Sequence, residues 1–308
     1  MSDSTPLPLS APSDAGPTRV GTLIDAMSLR LQAAGVAFGH GTTNAHDEAV
    51  WLTMWKLGLP LDAGDEVVDS EVTPEDRANV EAVVAERIRS RKPAAYLTHE
   101  AWLQGVPFFV DERCIVPRSF IAELLGNAEY GEALDAWLSA DTQRVLDLCT
   151  GNGSLAVLAA MAFPDVAVDG ADLSSEALEV ARINVNRHQL AARIHLMQSD
   201  GLARVRGPYD LILCNPPYVN AQSMSLLPAE FRAEPELALA GGSDGMDFIR
   251  QLLRDAASHL SADGVLVLEI GHERVHFEAA FPTLPVVWLP TSAGADQVLL
   301  VTRDALAL

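Results

Sequence analysis

Asn215-Pro216-Pro217-Tyr218 stands directly after the apolar run Tyr209–Cys214. An amide or exocyclic amine nitrogen is a poor nucleophile, because its lone pair is delocalised into the adjacent π system. The Asn215 side-chain oxygen and the Pro216 carbonyl can each accept one N–H, orienting a planar NH2 group and drawing the lone pair back onto nitrogen. Pro216 and Pro217 stiffen the loop, and Tyr218 offers a flat face for stacking. Taken alone, Asn-Pro-Pro is equally a strand-ending turn.

Upstream, Arg144-Val-Leu-Asp-Leu-Cys-Thr-Gly-Asn-Gly-Ser154 reads as a buried strand entering a glycine-rich turn, followed by the helix-like Leu155–Met161. Gly151 and Gly153 let the backbone take unusual dihedrals and approach a ligand without Cβ contact. The third glycine of a dinucleotide fingerprint is replaced by Ala156, so a pyrophosphate site is not indicated. Asp147, just ahead of the turn, can meet a cationic ligand group. A second strand, Asp165–Asp172, ends in a carboxylate nineteen residues after Gly153, the position from which an acid binds ribose hydroxyls in α/β nucleotide sites. A cofactor turn, Asp172 and Asn215 at successive strand ends together point to a nucleotide-type cofactor beside an amino-group substrate.

These segments, Asp147–Gly153, Asp172 and Asn215–Tyr218, resemble the class I S-adenosylmethionine-dependent methyltransferases that modify a protein glutamine on its side-chain nitrogen. The resemblance runs from about Ala94 to the end. Ala95–Trp102, Val110–Ser119, Cys149, and Glu234-Pro-Glu236 before Gly241–Gly245 look like the branch acting on large-subunit ribosomal protein three. The release-factor branch continues Pro117-Arg118 with Pro-Glu-Thr-Glu, where this chain has Ser119-Phe120-Ile-Ala-Glu123. Asn152, where Ser is more usual, and Phe120, where Pro is usual, are mild departures. The resemblance implies N5-methylation of glutamine with S-adenosyl-L-methionine as cofactor. It places Asp147, Cys149, Thr150, Gly151, Asn152 and Gly153 around the methionine part, Asp172 on the ribose, and Asp200 and Gly201 beside the adenine. Asn215, also counted toward the cofactor, Pro216, Pro217, Tyr218 and Arg118 then receive the substrate, with Asn215, Pro216 and Tyr218 carrying the chemistry. Release-factor modification, a DNA amino-methyltransferase using the same loop after base flipping, and a non-catalytic cofactor module are the competing readings.

The elements that must position these residues follow from pattern. Residues 1–17, rich in Pro, Ser and Asp, read as a disordered leader. A helical domain over 18–95, assigned to substrate recognition, is expected from the apolar spacing of Val20–Leu31, from Asp47–Leu57 ending at Gly58, and from Thr73-Pro74-Glu-Asp76 opening a helix to about Arg91. Trp51 and Trp55 share one helical face and read as packing residues. A linking β-hairpin is expected over 96–118. The methyltransferase domain, 119–308, alternates helices with strands near 143–149, 166–171, 193–197, 209–214, 264–270, 285–289 and 296–302. That pattern is a doubly wound, largely parallel α/β sheet, seven-stranded as in class I methyltransferases, with a final antiparallel hairpin. Such sheets bind ligands beyond the carboxyl ends of their strands.

Composition limits the alternatives. The 308 residues carry 49% hydrophobic side chains and a formal charge of −21. That charge disfavours a phosphate-binding face, and with it direct DNA binding, and favours a basic protein partner, in line with a large-subunit ribosomal protein. No apolar run approaches the roughly 18 residues of a membrane span, and no export signal is visible, so a cytoplasmic location is expected. Cys114, Cys149 and Cys214 are scattered and fit neither a disulfide framework nor a zinc site. No metal is implied, and His40 and His272 are not assigned as bases.

Overall fold

The computed structural model describes residues 18–126, 129–139 and 141–307. The leader read over 1–17 lies outside them. The chain separates into two compact units, one reaching Val36 and resuming over Thr42–Ser90, the other comprising Ala37–Gly41 and the chain from Arg91 onward.

In the smaller unit, helices Val20–Ala33, Ala45–Leu57 and Pro74–Ser90 bring together Leu23, Met27, Leu31, Leu52, Val80 and Val84, all buried and spaced to share faces. A short helix, Asp65–Val68, and a two-residue antiparallel pair, β1 (Thr18–Arg19) with β2 (Glu71–Val72), complete it. Gly58 and Thr73 end and open their helices as the sequence indicates, while the second helix starts at Ala45, ahead of the expected Asp47, because Asn44 caps it. Asn44 accepts from the Asp47 N–H at 2.9 Å, Gly58 closes its helix at φ 67°, and Thr73 accepts from the Asp76 N–H at 3.1 Å. Trp51 is buried and Trp55 half-buried. A buried charge pair, Arg87 Nε to Glu48 Oε1 at 2.8 Å, braces the second helix against the fourth.

The larger unit opens with helix Ala94–Thr98 and a hairpin, β3 (Ala101–Leu103) with β4 (Val106–Phe108). Gln104 and Gly105, at φ 49° and 73°, make its two-residue turn, the doubly left-handed turn whose twist matches the strands. Next come β5 (Arg144–Leu148), β6 (Ala167–Asp172), β7 (Ile194–Gln198), β8 (Tyr209–Cys214), β9 (Leu260–Glu269), β10 (Val287–Thr291) and β11 (Gly294–Thr302). They form one seven-stranded sheet in the order β10-β11-β9-β8-β5-β6-β7. The pairs β5–β6, β6–β7, β5–β8 and β8–β9 are parallel, while β11 runs antiparallel to β9 and β10. This is the doubly wound class I methyltransferase sheet. β9 begins at Leu260, earlier than its apolar run, because Ser261–Asp263 continue the extended backbone with exposed or half-exposed side chains that hydropathy alone does not mark.

Alternation along the strands sorts the core into two layers. Val145, Leu211, Leu213, Val265, Val267, Val298 and Leu300 face helices Ile121–Gly126 and Ser154–Ala162. Their neighbours Leu146, Ile212, Cys214, Leu266, Leu268, Leu299 and Val301 face helices Asp247–Asp255 and Arg274–Ala280. Both layers are buried because the central strands are covered on each side. The winding reverses between β5 and β8, so the carboxyl ends of those two strands open the crevice where such sheets take ligands.

Candidate functional site

The chain leaves β5 through Cys149, Gly151 and Gly153, all at positive φ (61°, 54° and 80°), before entering helix Ser154–Ala162. A Cβ at Gly153 would come within 3.1 Å of the Ala181 Cβ, so helix–helix approach requires glycine there. At Gly151 only the left-handed backbone does. The turn is tied across the sheet by Thr150 N–H to Ala171 O at 3.0 Å and by Gly151 N–H to Asp172 Oδ2 at 2.8 Å. Asp172 Oδ1 accepts from Ser174 N–H at 2.9 Å, so each Asp172 oxygen keeps lone-pair capacity for a further donor. Burial pushes the Asp172 carboxyl above its ordinary range, against the pull of those two N–H groups.

Beyond the strand ends lies a cavity of about 390 Å³, lined among others by Cys149, Gly151, Asp172, Asp200, Gly201, Asn215 and Pro217. A second, of about 150 Å³, is lined by Arg118, Asn215, Pro216 and Tyr218 together with Phe231 and Leu239. Asn215 forms part of both walls. Its loop is fixed by backbone pairing: Val219 N–H to Leu239 O and Gly241 N–H to Val219 O, each at 2.9 Å. A Cβ at Gly245 would stand 2.2 Å from the Tyr218 carbonyl oxygen, and one at Gly271 would stand 2.6 Å from the Tyr218 ring. These glycines are clearances for the loop.

Four residues expected at the cofactor make their observed contacts within the turn. Asp147 is 1% exposed, with Oδ2 accepting from Thr150 Oγ1 and from Ala156 N–H at 2.9 Å. It lies beneath the turn and off the cavity wall, and burial pushes its carboxyl up to about 7. Thr150 turns inward to that carboxylate. The Asn152 side chain accepts from Ser154 N–H at 3.2 Å, while its carbonyl takes the Asn184 amide. Gly153 is pressed on Ala181. Asp147 Oδ2 and Asn152 Oδ1 are thus engaged within the turn, whereas Asp147 Oδ1 and Asn152 Nδ2 are buried without a hydrogen-bond partner among the described residues.

Comparison with known proteins decides what this arrangement belongs to. A methyltransferase small domain model matches residues 132–236, from ahead of β5 to beyond the Asn215 loop. The ribosomal protein uL3 glutamine methyltransferase of Bordetella pertussis is 55% identical over 280 residues, covering 90% of this chain and 92% of that one. Its counterparts from Burkholderia pseudomallei and Neisseria meningitidis serogroup B are 51% and 49% identical, each again over 90% of this chain. The chain belongs to this methyltransferase family. Among solved structures, a methyltransferase from Pyrococcus furiosus aligns at 18% identity with a TM-score of 0.46, covering 73% of this chain and 98% of that one.

As a family member, the chain carries two buried acids at the site to which the sequence reading gave no role. Glu269, at the end of β9, accepts from Ser119 Oγ at 2.6 Å and Phe120 N–H at 2.9 Å. Burial raises its carboxyl to about 7 despite those bonds. Burial, with the Glu269 charge beside it, also raises the Tyr218 hydroxyl well above its ordinary value. Glu234 holds Arg118 in a two-pronged pair at 2.6 Å for each nitrogen. Burial alone would raise Glu234, but His40 and the Arg118 guanidinium hold it at about 2. Arg118 is therefore a buttressed cation in the lining of the smaller cavity. Spacing offered no signal for either acid, since Glu269 ends an apolar strand and Glu234 is 116 residues from Arg118. Among the described residues no cluster of His, Cys, Asp or Glu has metal-holding geometry, and no helix is long and apolar enough to cross a membrane.

Proposed function

We propose that this methyltransferase transfers the methyl group of S-adenosyl-L-methionine to the N5 side-chain amide nitrogen of a glutamine in the large-subunit ribosomal protein uL3, in the cytoplasm. The single observation that carries the reading is Asn215 in the shared wall of the two cavities: one group touches both the donor side and the acceptor side. The relatives that match over nine-tenths of the chain bear the same activity in their names.

The larger cavity fits the cofactor chemically. Asp172 has free acceptor capacity for ribose hydroxyls, Asp200 and Gly201 flank the adenine end, and Cys149 with the Gly151 backbone lines the methionine end. When bound, S-adenosylmethionine supplies an electrophilic methyl group on a sulfonium. The protein's own part is positioning. Asn215 Oδ1 and the Pro216 carbonyl accept the two amide protons, and Tyr218 stacks on the amide plane. Fixing the nitrogen in line with the methyl carbon can recover about 7–11 kcal/mol of the barrier. No strong base is needed, because the amide becomes acidic only once methylated and its proton leaves through the same acceptors or to water. The helical unit and the negative charge of the chain are assigned to recognition of a basic protein substrate, with on-rates that fall as salt rises.

The test offers purified enzyme and labelled S-adenosylmethionine three substrates in parallel: uL3, a peptide-chain release factor and duplex DNA. Label on uL3 is expected, with little on the release factor, whose branch the Ser119 context departs from, and none on DNA. Preferential labelling of the release factor would move the branch and keep the chemistry. Labelling of DNA alone would overturn both.

A further inference from the structure

The Asn215 side chain has one hydrogen-bond partner among the described residues, the carbonyl oxygen of Arg118, which accepts from Nδ2 at 3.4 Å. The bond is long, but it discriminates between the two settings of the amide. Rotating the amide by half a turn would set oxygen against oxygen. With Nδ2 committed, Oδ1 is left as the free acceptor. The orientation of Asn215 thus depends on where the Arg118 carbonyl stands, and that depends on Glu234.

Glu234 is 4% exposed and gathers the 116–118 segment around itself. Oε1 accepts from Val116 N–H at 2.9 Å and from Arg118 Nη1 at 2.6 Å, while Oε2 accepts from Arg118 Nη2 at 2.6 Å. Arg118 Nη1 returns to the Val116 carbonyl at 3.1 Å, closing the segment into a ring. His40 Nε2 stands 3.3 Å from Oε2, and Phe231 packs against both side chains, 4.2 Å from the His40 ring and 5.3 Å from the Arg118 guanidinium. Ionic pairing and a planar fork fix both the distance and the angle of the segment.

We propose that Glu234 is a positioning residue for methyl transfer: it holds Arg118 so that the Arg118 carbonyl sets the Asn215 amide with its oxygen toward the substrate. The inference rests on Asn215 gripping the substrate amide. His40 and Arg118 hold the Glu234 carboxyl at about 2, well below its ordinary range.

A double-mutant cycle tests it, using the full chain, uL3 and labelled S-adenosylmethionine under single-turnover conditions that follow slow transfer. Glu234→Gln keeps the shape and removes the charge. It should lower transfer at saturating substrate at least about tenfold while S-adenosylmethionine affinity, by calorimetry, stays within about twofold. In an Asn215→Ala background the same change should add less than about twofold, since the side chain being oriented is gone. Arg118→Lys, which keeps the charge and loses the fork, should reproduce the loss and serves as the second arm should Glu234→Gln fail to fold by circular dichroism. Equal losses in both backgrounds would make Glu234 a brace of the fold and overturn the proposal, as would normal turnover of Glu234→Gln and Arg118→Lys. Normal turnover of Asn215→Ala alone would overturn the assignment of the site itself, and the proposal with it.

Discussion

The two loops that meet at the strand ends are built on opposite plans. In the β5 turn the polar side chains face inward: Thr150 and the Ala156 N–H serve Asp147, and Asn152 serves Ser154. What reaches the cavity is Gly151, Cys149 and, from the next strand, Asp172. In the β8 loop the backbone is pinned from outside, at Val219 by Leu239 and Gly241. Asn215, Pro216 and Tyr218 are thereby freed to line the smaller cavity. A cofactor that presents hydroxyls and a backbone-sized surface is suited by the first plan. An amide that must be oriented atom by atom requires the second. Substitutions in the turn should therefore be felt as affinity and stability, and substitutions in the loop as rate.

The largest expected effect is on the loop side. Asn215→Ala should lower the rate of transfer by about a hundred- to a thousandfold, the loss of one preorganised contact worth roughly 3–4 kcal/mol, while cofactor affinity by calorimetry stays within about threefold. Near-normal turnover would show that the loop does not act through its side chains. Next in size is the buried acid beside Tyr218. With burial, the Glu269 carboxyl rises from its ordinary 4.5 to about 7, so the folded chain holds that proton where the unfolded chain has lost it. The resulting stability is full below about pH 4.5 and is lost as pH rises to about 7, an interval worth about 3 kcal/mol. Melting temperature should accordingly fall between pH 5 and 8, and Glu269→Gln should flatten the fall; an unchanged slope would remove Glu269 as its cause. Asp147, also raised to about 7, adds the same sign from beneath the turn.

On the turn side the effects are smaller. Asp172→Ala should weaken S-adenosylmethionine binding by about 1–3 kcal/mol and leave turnover at saturating cofactor nearly intact. Unchanged affinity in calorimetry would mean that β6 does not end at the ribose. Smallest is Thr150→Ala, expected to cost about 1 kcal/mol of stability for the lost hydroxyl bond to Asp147 with cofactor affinity within about twofold. A drop in affinity without a drop in melting temperature would return Thr150 to the cavity wall.

The same contrast explains how much of the molecule was legible. Continuous apolar runs at Leu211–Cys214 and Val265–Leu268 announced strands buried on both faces, and Gly58 and Thr73 announced helix ends, because such runs and caps are local. Asn215, Pro216 and Tyr218 could be read as a group because they are adjacent in one loop stiffened by its own sequence. For Asp147, Thr150, Asn152 and Gly153, motif spacing records that a turn needs such residues and not whether they serve the ligand or the turn itself. Glu234 and Glu269 acquire their roles only through partners more than a hundred residues away, Arg118 and Ser119. No window of sequence contains both halves of either contact.

The central claim is that the loop after β8 selects an amide nitrogen, and the identity of the methylated atom tests it most directly. Purified enzyme, uL3 and S-adenosylmethionine labelled in the methyl group would be incubated, and the modified uL3 digested for tandem mass spectrometry and, separately, hydrolysed in strong acid. An amide N-methyl group is released by hydrolysis as volatile methylamine, whereas a methylated lysine or arginine is not cleaved in this way by acid. The account predicts one methyl group on one glutamine and the label recovered as methylamine. Label retained on a lysine or arginine would contradict it, because the acceptor pair of Asn215 and Pro216 would then be gripping the wrong chemical group.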